Sequence, residues 1–353
     1  MRLNENHRDR DNTKRNLLIC ESFTDVDRFS EFLLYRRYQI VQLSGSLLQS
    51  KFLVVQIGNL YFTQVSNSSS IQTIGSKHEG SSYLTFTLIW AARGGHFCSH
   101  GQPLNLQTDL CSFDMKREAH LILPPDGIMT NILVPIKLFR TCASQLQRDD
   151  LGDRFLTTNH ATLLPDRMGQ LKAYLQELFW LAQHKPDWLQ QPHISKLVVE
   201  DFVPLLVRSI PLQRTTKTAL KSFRRAPLVA RAEKEMGNCL QQPLTLKELA
   251  RRLGSSSSAL SYGFKDLFGM SPMRYLKVRR LNAVRRYLKA GDPEHHTVEV
   301  FANQFGFWNS GHFAKDYKTL FGELPSETLQ TSTQRMNITN WEIIETETLQ
   351  NEL

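Results

Sequence analysis

The chain is short of the features that mark secreted, metal-bound or membrane-borne proteins. Its five cysteines, Cys20, Cys98, Cys111, Cys142 and Cys239, are scattered with no C-x-x-C pair. That pattern argues against a zinc site or a disulfide framework and suits reduced thiols in a cytosol. No apolar run approaches the roughly 20 residues of a membrane-spanning helix. The opening stretch MRLNENHRDRDNTKRN is too polar for a signal peptide. A soluble cytoplasmic protein with no membrane partner is therefore expected. His78, His96, His100 and His120 are dispersed rather than clustered with a carboxylate, so neither a metal nor a cofactor is expected.

What is present points elsewhere. With 353 residues, 41% of them hydrophobic, the chain is long enough for two domains with real cores. The formal net charge is +9, and it is unevenly spread. Between Lys221 and Gln330 there are 18 Lys plus Arg against 10 Asp plus Glu, a surplus of eight. Such concentration in one module is the footprint of phosphate binding, which gains free energy by releasing counterions.

Texture along the chain predicts an α+β protein. After a polar leader (1–29), residues 30–137 hold β-branched and aromatic runs punctuated by turn residues, among them QIVQLSG, KFLVVQIGNLYFTQV, SSYLTFTLIW and AHLILPP. These predict a β sandwich or barrel. Residues 138–213 turn helical, as in MGQLKAYLQELFWLAQH, and are expected to support or dimerise the β unit, giving a homodimer. A basic linker (214–226) precedes a C-terminal helical domain (227–329). An acidic tail (330–353) carries Glu342, Glu345, Glu347 and Glu352.

The most specific signal is an internal repeat. FKDLFGMSP, from Phe264, recurs as YKTLFGELP, from Tyr317: Lys265, Leu267, Phe268, Gly269 and Pro272 match Lys318, Leu320, Phe321, Gly322 and Pro325 at an offset of 53. Upstream, Thr245, Ala250 and Gly254 match Thr297, Ala302 and Gly306 at an offset of 52, so the second turn holds one extra residue. Leu246, Leu249, Ala250 and Leu253, and likewise Val298, Phe301, Ala302 and Phe305, make one buried helical face each. Thr245 with Glu248 reads as a capping box, and Gly254 and Gly306 suit positive φ at helix ends. Each unit is helix, tight turn, helix, the form that projects a second helix into a DNA major groove.

Between the units, Pro272 to Ala290 predicts a linker helix with Leu281, Val284 and Leu288 on one face. Arg279 and Arg286 lie roughly opposite, for phosphate contact or for a solvated face. LTLKELARRLG, FKDLFGMSPMRYLKVRRLNAVRRYL and FANQFGFWNSGHFAKDYKTLFGELPSE resemble the DNA-binding domain of the AraC/XylS family of transcription regulators, over about 100 of the 353 residues. RLNAVRRYL and QFGFWNSGHFAKDYKTLF look most similar to the subgroup that regulates ethanolamine operons.

The resemblance implies double-stranded promoter DNA as partner, RNA polymerase as a second, and no enzymatic activity. It also implies an N-terminal barrel or cupin-like domain that answers to a small-molecule effector. A DNA-binding regulator without small-molecule control is the alternative. A DNA-alkylation response protein is disfavoured by the scattered cysteines.

By the family pattern, base-contacting positions lie early on each second helix. In the first unit Ser256 caps, Ser257 and Ser256 suit a phosphate approach, and Ser258, Ser261 and Tyr262 fall at reading positions. This helix lacks Arg, Lys or Gln on its reading face and carries Gly263 inside it. In the second unit Asn309 suits the helix start, and Ser310, Gly311, His312, Ala314 and Lys315 take the reading positions. His312 and Lys315 are the stronger candidates for base or phosphate contact. Phe307 and Trp308 read as core or rim aromatics rather than intercalating wedges.

Overall fold

A computed structural model describes residues 18–34, 38–45, 47–75, 82–91, 97–189, 191–212 and 225–331. The chain divides into two compact units, one drawn mainly from residues up to Ala230 and the other mainly from Arg231 onward.

The first unit opens with β1 (Leu18–Phe23) and α1 (Val26–Leu34), inside the stretch read from the sequence as a polar leader. There follow β2 (Tyr38–Gln42), β3 (Ser50–Ile57), β4 (Leu60–Asn67), β5 (Ile71–Gly75), β6 (Tyr83–Ala91), β7 (Cys98–Ser99), β8 (Gln102–Pro103), β9 (Asp109–Cys111), β10 (Ala119–Leu123) and β11 (Gly127–Pro135). Helices come next: α2 (Ile136–Gln145), a 3₁₀ turn (Asp149–Leu151) and α3 (Asp153–Leu156). A late strand, β12 (His160–Thr162), precedes α4 (Pro165–His184), α5 (Pro186–Leu189) and α6 (Pro192–Ser209).

The strands pair antiparallel in two sheets, ordered β1-β3-β4-β11-β6-β9-β12 and β2-β5-β10-β7-β8. The expected barrel is not closed. Each sheet ends on its own edge strands, and no ladder among the described residues joins them. The short outer strands explain this, since β7, β8, β9 and β12 offer only two or three residues each for pairing. β12 also corrects the reading of residues 138–213 as helical, because it pairs with β9 at the edge of the larger sheet.

Period-two alternation gives the larger sheet two unlike faces. Leu60, Phe62, Leu84, Phe86, Leu88, Ile132 and Val134 are buried against apolar residues of α2, α4 and α6. Phe62 meets Phe202 with ring centroids 5.0 Å apart, and Phe86 meets Phe139 at 5.4 Å. On α4, Met168, Leu171, Leu175, Leu178, Phe179 and Ala182 form the matching stripe.

The other face carries polar side chains in register. Thr87 sits opposite Asn131 and Asn131 opposite Thr63. The Thr87 hydroxyl donates to Asn131 Oδ1 at 2.7 Å, and Asn131 Nδ2 donates to Thr63 Oγ1 at 3.3 Å.

His78 and His96 lie outside the described residues. His100 and His120 are hydrogen-bonded, His100 to Ser99 Oγ and the Glu118 carbonyl, and His120 to Gln72. Among the described residues no three His, Cys, Asp or Glu gather to hold a metal ion. No helix is long and apolar enough to cross a membrane.

The second unit is helical: α7 (Ala226–Asn238), α8 (Leu246–Arg252), α9 (Ser257–Phe268), α10 (Pro272–Ala290), α11 (Val298–Gln304), α12 (Ser310–Phe321) and α13 (Pro325–Gln330). The Lys221–Gln330 surplus falls mostly on these elements. The expected linker lies almost wholly outside the described residues, as does nearly all of the acidic tail.

Truncating Phe62 to Ala removes a fully buried ring from the sheet–helix core. A loss of about 3–5 kcal/mol in the stability of the first unit is expected. Urea denaturation followed by amide exchange in β4 and α6 reads it.

Candidate nucleic-acid interface

The two repeated halves fold alike because their local chemistry is alike. At the start of α8, Thr245 Oγ1 accepts the Glu248 N–H at 3.1 Å, and at the start of α11, Thr297 Oγ1 accepts the Val300 N–H at 3.4 Å. The expected capping box at Thr245 is only half formed. The Glu248 carboxylate is taken instead by Arg251 at 2.7 and 2.9 Å and by Arg252 at 2.8 Å. Two guanidiniums hold its pKa down to about 2.

Gly254 and Gly306 end these helices with φ of 61° and 80°, as their spacing predicted. Neither position suits a side chain, because a Cβ is strained at positive φ.

The second helix of each unit begins on a side-chain cap. Ser256 Oγ accepts the Ala259 N–H at 3.1 Å and Asn309 Oδ1 accepts the His312 N–H at 2.9 Å. The inner faces are buried: Leu260, Phe264 and Leu267 on α9, and Phe313, Tyr317, Leu320 and Phe321 on α12. The outer faces are open.

On α9, Ser258 and Tyr262 are exposed and Ser257 and Ser261 half-buried, while Gly263 turns inward. On α12, Ser310, Gly311, His312 and Lys315 are all exposed and Ala314 is half-buried. The structure thus presents both sets of candidates at the N-terminal end of a twelve-residue helix. There, free amides and the helix dipole favour phosphate oxygens.

α10 does more than separate the units. Tyr275, fully buried, donates from its hydroxyl to Glu233 of α7 at 2.7 Å and stacks edge-on against Phe264 of α9 at 5.3 Å. Burial, with the Glu233 charge second, holds its pKa well above the ordinary tyrosine range. Arg279 donates to that same hydroxyl at 3.0 Å and is half-buried. One of its nitrogens is therefore spent inside the fold. Arg286 is also half-buried and engaged, so neither arginine stands on a fully open face.

The residue that sequence reasoning passed over is Arg285. It is buried, and its Nη1 donates to Glu323 at 2.6 Å, Tyr317 Oη at 3.2 Å and Thr328 Oγ1 at 3.4 Å. The Thr328 hydroxyl in turn lies 2.8 Å from Tyr317 Oη and 2.6 Å from Glu323 Oε1. This network joins α10, α12 and α13. Its signal was available, since Arg285 falls between Leu281 and Leu288 on the apolar face. Nearby, Lys277 of α10 reaches Asp316 of α12 at 2.8 Å.

Two helix-turn-helix units held on one long helix, with their second helices open at the N-terminal ends, define a DNA-binding domain. Residues 249–331 match the helix-turn-helix domain family. A 91-residue stretch is 43% identical to the probable thc operon regulatory protein of Rhodococcus erythropolis, covering 26% of this chain and 27% of that protein. A longer alignment is 24% identical to XylDLEGF operon transcriptional activator 3 of Pseudomonas putida, over 77% of this chain and 80% of the relative.

Among solved structures, a probable AraC family transcriptional regulator from Rhodopseudomonas palustris is 37% identical over 30% of this chain and 97% of its own, with a TM-score of 0.29. The AraC-like transcriptional activator CuxR is 13% identical over 77% of this chain and 96% of its own, with a TM-score of 0.41. Residues 249–331 thus carry a helix-turn-helix, DNA-binding domain similar to those of these transcription regulators.

Two outcomes are expected of this arrangement. Arg285→Ala removes a buried hub of charge-assisted hydrogen bonds and leaves the part-exposed Glu323 without its cation, costing about 2–3 kcal/mol. Amide exchange in α12 and α13 accelerates at least a hundredfold while α8 is spared. Because the Glu248 carboxylate titrates lower when folded, its contribution is complete above its ordinary pKa of 4.5 and is lost as pH falls through about 2. Glu248→Gln removes that acid-limb component from a pH series of melting temperatures.

Proposed function

We propose that this regulator lays α9 and α12 into two successive major grooves on one face of promoter DNA, with α12 carrying more of the sequence reading. The observation that carries this is the pairing of two like scaffolds with unlike open faces. Serine hydroxyls donate or accept, so Ser258 and Ser261 discriminate bases poorly, while Lys315 and His312 offer stronger donors. α10 spans 19 residues, about 28 Å at 1.5 Å per residue. That length is commensurate with the roughly 34 Å between successive major grooves.

Activation, with RNA polymerase as the second partner, is supported by the named role of the Pseudomonas putida relative as an operon activator. RLNAVRRYL and QFGFWNSGHFAKDYKTLF support placing the protein near the regulators of ethanolamine operons. Domain limits at about 137, 213, 226 and 329, and self-association through the helical part of the first unit, belong to the same proposal.

A small-molecule effector is favoured by one feature of the first unit. The Thr63–Asn131–Thr87 ladder lies beside a cavity of about 30 Å³ whose lining includes Tyr38, Thr87, His100 and Asn131. Polar side chains gathered around a void suit a ligand with hydroxyl or carboxylate groups. The void is water-sized, so an effector binds by widening it. A regulator without effector control predicts no thermal shift with any metabolite of a panel.

Gel-shift titration of the full chain on fragments from its own genomic neighbourhood tests the main reading. Binding should weaken steeply with salt. Lys315→Ala should weaken it about tenfold and lower the salt slope by about one, more than Ser258→Ala does. Equal or reversed losses overturn the unequal division, and salt-independent retention overturns DNA binding itself.

A further inference from the structure

The repeat is not perfect, and the structure locates the imperfection. Register 52 holds through both first helices and into both turns. The Ser255 N–H bonds the Ala250 carbonyl at 3.0 Å, and at the matching place the Phe307 N–H bonds the Ala302 carbonyl at 3.0 Å. Register 53 begins at the next caps, Ser256 and Asn309. One residue lies between the two registers, and it is Trp308.

The neighbour Phe307 turns inward, its ring centroid 5.1 Å from that of Phe313. Trp308 goes the other way. It is 79% exposed, the most exposed of the large apolar side chains among the described residues. Of the two places expected from the sequence, core or rim, its exposure rules out the core.

Tryptophan carries the largest apolar area of any side chain, and an indole standing in water forgoes the gain from burying it. Scattered exposed apolar residues are ordinary, but this one has a particular address. It immediately precedes the cap of α12, two residues from Ser310 and four from His312, at the end of the helix that enters the groove. In helix-turn-helix docking that end meets the groove walls, where the apolar surfaces are deoxyribose and thymine methyl groups.

We infer that Trp308 is a DNA contact of the second unit, laying its indole against the apolar wall of the groove. The inference rests on the DNA-binding reading above. The first unit has no equivalent, because its turn lacks the residue. The contact adds affinity without neutralising a phosphate, so it leaves the salt dependence of binding unchanged.

The test uses the full chain and a duplex selected by the wild-type protein from a random-sequence pool. Trp308→Ala should raise Kd about tenfold with the slope of log K against log salt unaltered, and Trp308→Phe should fall between. Its melting temperature should match the wild type, as expected for a side chain outside the core. DNA-induced quenching of intrinsic fluorescence should shrink in Trp308→Phe, although four other tryptophans remain.

Affinity within twofold of wild type for Trp308→Ala overturns the inference while leaving DNA binding intact. So does normal duplex binding with a loss of transcription, which would make Trp308 a protein-docking residue. A wild-type chain that selects no duplex overturns both readings together.

Discussion

A guanidinium buried among aromatic rings must be answered in place, and the second half of the DNA-binding domain is arranged around that necessity. Arg285 lies 4.7 Å from the centroid of Phe321 and 6.0 Å from that of Tyr317, both on α12. Leaving its charge uncompensated there would cost several kcal/mol. Glu323, just past the end of α12, supplies the countercharge, and Tyr317 and Thr328 accept further hydrogen bonds from Nη1. Meeting those demands fixes the rotation of α12 about its own axis. With the inner face committed, Ser310, His312 and Lys315 have one direction left, outward.

The first unit of the repeat reaches the same end by a different route. Tyr275, Glu233 and Arg279 link α10 to α7, and Phe264 of α9 packs on the Tyr275 ring. α10 therefore serves both α9 and α12, by a neutral phenol near its start and a buried cation near its end. The conserved frame of the repeat and the divergence of its open faces are separate matters. Caps, glycines and apolar stripes must agree for the fold to form twice. The outward side chains are under no such demand, which leaves them free to differ.

The β-rich unit shows a comparable separation. One face of its larger sheet is wholly committed to apolar packing against α2, α4 and α6, with Phe62, Phe86 and Ile132 at the centre. The other carries Thr63 and Thr87, both buried, and the half-buried Asn131 between them. Polar side chains withdrawn from water persist only when they satisfy one another, as these three do across β4, β11 and β6.

Most of the helical architecture was legible in the residues because its determinants are local. Thr245, Thr297, Ser256 and Asn309 act within one turn of where they stand, Gly254 and Gly306 mark positive φ by type, and a 3.6-residue stripe declares its buried face. The longer strands from β2 to β11 were legible as strands, whereas β1 and β12 fell in stretches read as a polar leader and as helical. Their assembly into two open sheets was not, since edge pairing depends on residues far apart in the chain, such as Asp109 with Thr162.

The capping box at Thr245 was half wrong for a similar reason: two arginines a turn away outbid the helix end for Glu248. By itself the sequence determined the repeat, the caps, the turns and the concentration of positive charge. Only the tertiary structure decided that Arg285 goes in and Trp308 goes out. An arginine on an apolar stripe is tolerable only if a distant carboxylate arrives to meet it, and an inserted tryptophan is buried only if the packing around the turn has room.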